Sequence, residues 1–590
     1  MTRPRRAGLA ALLTALLLLL VAAAPAQQGD GFDEAMTRGA AALQAGEFAV
    51  ARSAFSAALA VRPGHPAAQA FLGNTLLASG DVAGATELLE ASARVAADYF
   101  PARFGLGRAY QVAGRTAEAI GEFQAAARID PTDAASRALL GQALMQTGRV
   151  VEARAAAREL VRVAPGEFSA HYLLATAELQ AESPDDALRA FDAALRLRPG
   201  DASAAHGRAV TLRALDRVPE ARAALGALLE AHPDHADAWL LMGEIAAAEA
   251  SSFDGTLLAA ELYQEGLRLR PGDPRSTVAL ARLYLRLGLF GDGRGLLAGL
   301  PAAVTATPSV QILLGRLAAG DRNYAAAATA YRGAIDAGSG AEAWYWLGVA
   351  QINLADPEAA QSFAQATRLD PAYFAAWREL GKAHLDANRP GEARIALDQA
   401  LPLRPADAEA HYLRGMALTR GGEVAAAAAD LQLAVSLDPG HTEAKYNLAL
   451  ALRRSGHVER SQALLTEAQE ARRAASRGAV AERQQRGEMI LRQGYARYRL
   501  GQPEQALELL DQAATLVEGN DLLQLYRGLT LAQLGRTEEA LAALEAAADL
   551  NEARPDTWQA LASLYGHLGR TEDAQRAQLK LNDLARQGDR

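Results

Sequence analysis

The chain has 590 residues, half of them apolar, and a formal net charge of −9. That length exceeds what one hydrophobic core serves, so the chain is either several domains or one repeat array. The mild acidity excludes a general nucleic-acid binder, whose surface is broadly basic. The absence of cysteine excludes disulfides, thiolate metal sites, cysteine nucleophiles and N-terminal lipid attachment.

At the N-terminus, Arg3, Arg5 and Arg6 precede an uncharged run from Ala7 to Ala24. The small residues Ala24 and Ala26 around Pro25 predict a signal peptide over 1–26, cleaved after Ala26. The alternative is an uncleaved anchor, because the run approaches the minimum for a spanning helix. Either way the rest is expected outside the cytoplasm, in the periplasm or cell envelope, or tethered to the inner membrane by this segment. Residues 27–31 form a short polar linker.

From residue 32 the chain repeats itself. The segments FGLGRAYQVAGRTAEAIGEFQAAARIDP, ending at Pro131, and LLGQALMQTGRVVEARAAARELVRVAP, ending at Pro165, carry Leu-Gly, Gly, Ala and Pro at matching places 34 residues apart. The step recurs at Pro63, Pro199, Pro233, Pro405 and Pro439. Each unit reads as two helices. Trp377, Leu380, Gly381 and His384 form the stripe of a first helix, and Ala393, Leu397 and Ala400 that of a second. A Gly or Asn between them breaks the run, as at Gly148, Asn388 and Gly422, and proline ends the unit. Mid-helix glycines such as Gly107, Gly348 and Gly381 cost about 1 kcal/mol each against alanine, so they are expected where a side chain would push the paired helix away. Phe55, Phe123, Phe191, Tyr331 and Phe363 are expected to fill the gap to the next unit.

Counted this way, 32–470 holds about 13 units and 487–588 about three. The polar segment 471–486 is read as a helical joint between them, or equally as a lengthened exposed helix. Gln578 stands in a core position of the last helix, which suits an exposed cap.

This pattern, most complete at Leu106, Gly107, Tyr110, Ala119, Phe123, Ala126 and Pro131, resembles the tetratricopeptide repeat (TPR) family over nearly the whole chain beyond the leader. Units six, eight and fourteen depart most; Gly293 stands in unit eight where alanine is expected. The resemblance implies an all-α, right-handed α-solenoid superhelix of about 16 stacked helix-turn-helix repeats.

Chemistry is sparse. No HExxH, GxxxxGK[ST] or GxSxG segment occurs. Gly105 and Gly107 in GLGRAY belong to a repeat helix. Gly291, Gly293 and Gly295 read as a distorted turn rather than an anion loop. His232 and His235 fall on a proline turn, where polar residues are expected without a metal. His171 and His411 replace the Trp of other units and read as packed or hydrogen-bonded side chains. The expectation is a non-enzyme with no cofactor and no metal.

In this family the first helix of each unit lines a concave face where ligands lie. Carried onto units eight to thirteen, those places hold Arg275, Arg282, Arg286, Arg316, Arg378, Lys382, Arg420, Arg453 and Arg454, with Tyr345, Tyr412, Tyr446 and Asn353 among them. Glu342, Asp386, Glu409 and Glu443 share the faces. Arginine forks suit carboxylates and tyrosine faces suit extended chains or sugars. The expected partner is therefore a protein or extended peptide, acidic in character, or an anionic glycan. Two functional readings stay open: an envelope scaffold for protein partners, and an accessory of exopolysaccharide or cell-wall export. The competing reading of the arginines is an ordinary solvated face.

Overall fold

A computed structural model describes residues 31–477 and 479–588. The expected signal segment, its cleavage point at Ala26 and most of the linker lie outside the described residues. Among the described residues there are thirty-three helices and no strand. Thirty-two of them form sixteen antiparallel pairs, from Gly31–Gln44 with Phe48–Val61 to Pro555–His567 with Thr571–Gly588; the other is the short helix Ala302–Thr305. The fold is an all-α solenoid. The chain divides into two compact units, Met1–Ala238 and Trp239–Arg590. No described helix is long and apolar enough to cross a membrane.

The helices begin where side chains satisfy their free N–H groups. Asp133, Asp201, Asp273 and Asp407 accept from the backbone N–H three residues on, as N-cap carboxylates do. Between the helices of a pair the backbone crosses into the left-handed region. Glycine takes that place at Gly114, Gly148 and Gly422, but Glu182, Asp216, Arg322, Ala355 and Asn388 hold it elsewhere, with φ between 54° and 59°. An L-residue pays a steric penalty there. Replacing Ala355 by glycine is therefore expected to stabilise the second unit by about 0.5–1 kcal/mol; an unchanged or lowered urea midpoint would contradict this.

The core follows a small-against-large rule. A Cβ on Gly107 would lie 2.7 Å from the Phe123 ring, and one on Gly348 would lie 2.7 Å from Phe363. Both rings are fully buried. The large side chain thus fills space inside its own pair. It also reaches the neighbouring unit, as where Phe55 stacks on Phe71 with centroids 5.5 Å apart.

The Gly291–Gly295 segment is not a distorted turn but part of the helix Phe290–Ala298. Gly293 is buried there, where an added Cβ would meet Leu317 at 2.7 Å, so glycine is needed at this close approach. The sixth pair, Ala202–Ala214 with Val218–Ala231, is regular despite its degenerate sequence. The segment 471–486 is carried by two long helices, Val458–Arg477 and Ala479–Arg499. At the C-terminus Gln578 is exposed.

Candidate functional site

In the second unit six successive first helices are Pro274–Leu287, Pro308–Gly320, Ala341–Asn353, Phe374–Asp386, Ala408–Arg420 and Thr442–Arg454. Each buries one stripe and leaves the opposite one accessible. In Phe374–Asp386, Ala376, Leu380, Gly381 and Leu385 are buried. Arg378, Lys382 and Asp386, spaced by four, line the outer stripe. The same register holds Arg282 and Arg286, then Arg316, Tyr345 and Asn353, Tyr412 and Arg420, and Tyr446 and Arg454. Arg275 and Arg453 flank it.

At three junctions a residue of this register contacts the next repeat. The Arg316 guanidinium lies 5.4 Å from the Trp346 ring centroid. Tyr345 lies 5.0 Å from Tyr373, and Tyr412 lies 4.6 Å from His441. Burial raises the hydroxyl pKa of Tyr345 and Tyr412 above its ordinary value, so both present neutral rings at physiological pH.

The cations on this surface divide by what they already touch. Arg378 pairs with Glu379 at 3.0 Å and lies 3.8 Å from Asp407. Burial opposes its charge, but these carboxylates hold the guanidinium above its ordinary value. Arg286 donates to the Ala250 carbonyl at 2.7 Å, and Arg420 donates to the Leu385 carbonyl. Both bonds cap the end of the preceding repeat's first helix, where carbonyls lack helical partners. Asn353 donates to Val349 O at 2.8 Å within its own helix. Arg472 stands 5.0 Å over the Tyr446 ring. Arg275, Arg282, Lys382, Arg453 and Arg454 are exposed, and among the described residues they make no side-chain hydrogen bond, ion pair or ring contact. Of the acids on the same faces, Glu409 is 3.2 Å and Glu443 3.6 Å from His441. Glu342 accepts a long bond from the Trp346 indole at 3.4 Å.

One feature of the repeat is absent from the sequence reading. In six of the repeats the fourth residue of the first helix bonds the carbonyl six residues earlier. Trp377 reaches Pro371 at 2.9 Å, Trp558 reaches Glu552 at 2.8 Å, Arg103 reaches Ala97 at 2.8 Å and Gln311 reaches Thr305 at 2.7 Å. His171 meets Pro165 at 2.8 Å and His411 meets Pro405 at 3.0 Å. The shared requirement is a nitrogen donor of sufficient reach, which explains why Trp, His, Arg and Gln interchange there. His411 also meets buried Asp430 at 3.1 Å, which accepts from Arg414 at 2.6 Å. In the first unit His235 accepts from the Ala238 backbone N–H at 3.1 Å and so starts a helix; His232 lies 3.4 Å from the Gly200 carbonyl. Among the described residues no group of three His, Asp or Glu side chains could hold a metal ion.

Sequence profiles described as tetratricopeptide repeat match residues 42–109, 110–177, 178–245 and 257–317. A second profile of the same description matches 312–360, 356–408, 381–442 and 491–556. The chain belongs to the TPR family. No curated protein matches it. Solved structures that align with it include the TPR protein YrrB, described as having an unusual peptide-binding site, at 21% identity over 31% of this chain and 95% of that one, with a TM-score of 0.30. MamA 41-end from Desulfovibrio magneticus RS-1 aligns at 22% identity over 28% of this chain and 96% of its own, with a TM-score of 0.27. Naa15/Naa10 bound to HypK-THB aligns at 15% identity over 94% of this chain and 100% of that one, again with a TM-score of 0.27. The family assignment rests on the repeat matches. The TPR array is accordingly a protein-interaction scaffold.

Proposed function

We propose that this TPR array is a non-catalytic scaffold of the cell envelope, exported through residues 1–26, that holds an extended acidic segment of a protein partner along repeats eight to thirteen. One observation carries the reading: Arg282, Lys382 and Arg454, which make no side-chain bond or ion pair among the described residues, sit in register with half-buried Tyr345 and Tyr412 on a single stripe, with Arg275 and Arg453 beside it. A carboxylate-rich chain would replace water around the arginine forks with bidentate bonds, while the neutral tyrosine rings would pack against its backbone. Arg286, Arg378 and Arg420 serve mainly to fix neighbouring repeats. Partner selectivity would then come from the spacing of the free cations. The N-terminal residue of the exported chain, Gln27 after cleavage or Met1 for an anchor, distinguishes a free from a tethered form.

The test uses the chain from Gln27 and a fluorescein-labelled polyglutamate peptide, read by anisotropy. Saturable binding is expected, weakening as salt is raised, because exposed charges are screened over about 8 Å at physiological ionic strength. Absence of binding, or binding indifferent to salt, would sink the reading. An anionic polysaccharide that bound while polyglutamate did not would favour the glycan-export alternative, since uronate carboxylates use the same arginine chemistry.

A further inference from the structure

Within the second unit the chain meets itself across more than two hundred residues. Gln264 Nε2 donates to Leu500 O at 3.2 Å, across 236 positions. Gln493 Nε2 donates to Gly288 O at 3.2 Å, across 205. Two ion pairs flank these bonds. Arg499 Nη2 lies 2.8 Å from Glu261 Oε2, and Arg497 Nη2 lies 2.8 Å from Asp292 Oδ2. Beneath them Ala496 and Leu500 are buried in one cluster with Leu257, Ala260, Tyr284 and Leu289. The helix Ala479–Arg499 of the fourteenth repeat thus docks on Phe253–Leu269 of the seventh and on the turn after Pro274–Leu287 of the eighth.

No local signal specifies this contact. It exists because the curvature accumulated over the intervening repeats brings their two ends together, and it turns an open stack into a closed circuit. Each repeat of a solenoid contacts only its neighbours, so bending is distributed and soft. A single contact between the ends therefore fixes a degree of freedom that the repeats alone leave loose. The contact is also of a kind that can release. Its ion pairs keep some access to water, with Arg499 40% and Glu261 21% exposed and Arg497 17% and Asp292 22%, so salt reaches and weakens them. A polar cavity of about 340 Å³ lies beside it, lined by Gly288, Asp292, Gln493, Arg497 and Glu508 among others. Arg499 occupies the repeat position of Arg286, Arg420 and Arg454, and here it holds a carboxylate.

We propose that this contact is a clasp: closed, it holds repeats seven to fourteen as one circuit and fixes the spacing of the basic stripe they carry; released, it lets the circuit open and weakens capture of an acidic chain. The regulatory part rests on the proposed function, whereas the clasp itself does not. A preordered surface binds more tightly because less ordering is left to the ligand.

The absence of cysteine makes the test direct. Leu258→Cys and Met489→Cys, both at exposed positions, carry spin labels for pulsed distance measurement in the full chain. A single narrow distance is expected. Glu261→Arg with Asp292→Arg should lengthen and broaden it, and further addition of Arg497→Glu with Arg499→Glu should restore it. Polyglutamate affinity is read on the same proteins. The first pair of reversals makes the chain more positive, so simple charge attraction predicts tighter binding; the clasp predicts binding about tenfold weaker, recovered in the fourfold variant. Unchanged distances in every variant would overturn the clasp. An opened distance with equal or tighter binding would overturn its control of the ligand. If the parent chain binds no polyglutamate, the proposed function fails, and opening with restoration by distance alone still establishes the clasp.

Discussion

Phe123→Ala is expected to destabilise the third repeat by about 3–5 kcal/mol, the range for truncating a fully buried aromatic side chain. The reason lies in what surrounds the ring. Phe123 is fully buried in one cluster with Leu106, Ile120 and Leu140, and a Cβ added to Gly107 would stand 2.7 Å from its edge. Glycine at 107 has no side chain that could relax into the vacated space, so the cavity stays largely open and its cost is added to the lost transfer energy. In a solenoid, stability is a sum of unit and interface terms, and Phe123 contributes to both, lying against Gly107 and 6.3 Å from Phe104 within its pair and sharing one buried cluster with Leu140 of the next repeat. Hydrogen exchange should show amides of Phe100–Val112 and Thr116–Ile129 losing protection first, with urea unfolding of the first unit shifted to lower concentration. A loss below about 1 kcal/mol would mean that the neighbouring helices close the gap, against the rule that glycine and ring are complementary.

The fold was legible because that complementarity is written periodically. Gly107, Ala119, Phe123 and Pro131 recur at one spacing, and each has a local steric reason that survives in any stack of such pairs. The Gly291–Gly295 segment misled because glycine-rich composition signals a turn by propensity. Tight packing of Gly293 against Leu317 overrides propensity there, and the segment is helical. The candidate surface was legible only in part. Repeat register placed Arg378, Arg420 and Arg286 on one stripe with Lys382 and Arg454. It could not show that the first is neutralised by Glu379 and Asp407, or that the other two cap a neighbouring helix, since those contacts depend on the angle between repeats. The contact of Arg497 and Arg499 with Asp292 and Glu261 is further from view, because it depends on the sum of many such angles. The recurring donor at the fourth helical position was hidden for another reason: Trp, His, Arg and Gln share no hydropathy or size class, only a reaching N–H.

The division of the cations decides which substitutions test the surface cleanly. Reversing Arg378 or Arg420 would disturb contacts between repeats, so a loss of binding in such variants would have two explanations. Arg282→Glu, Lys382→Glu, Arg453→Glu and Arg454→Glu replace exposed side chains that make no hydrogen bond, ion pair or ring contact among the described residues, and helix content and the urea midpoint should stay near the parent values. An exposed ion pair contributes about 0.4 kcal/mol, and reversal replaces attraction by repulsion of similar size. The four together should therefore weaken polyglutamate binding by about 3 kcal/mol, or about a hundredfold. The same change in net charge made at Arg38, Arg52, Arg128 and Arg196, exposed in the first unit, provides the decisive contrast. A field spread over the whole chain would weaken binding equally in both variants. Recognition on repeats eight to thirteen requires that the first variant lose most of its affinity and the second only the small, salt-screened fraction due to net charge. Equal losses would return the arginines of the second unit to an ordinary solvated face, because register along the stripe would then confer nothing that bulk charge does not.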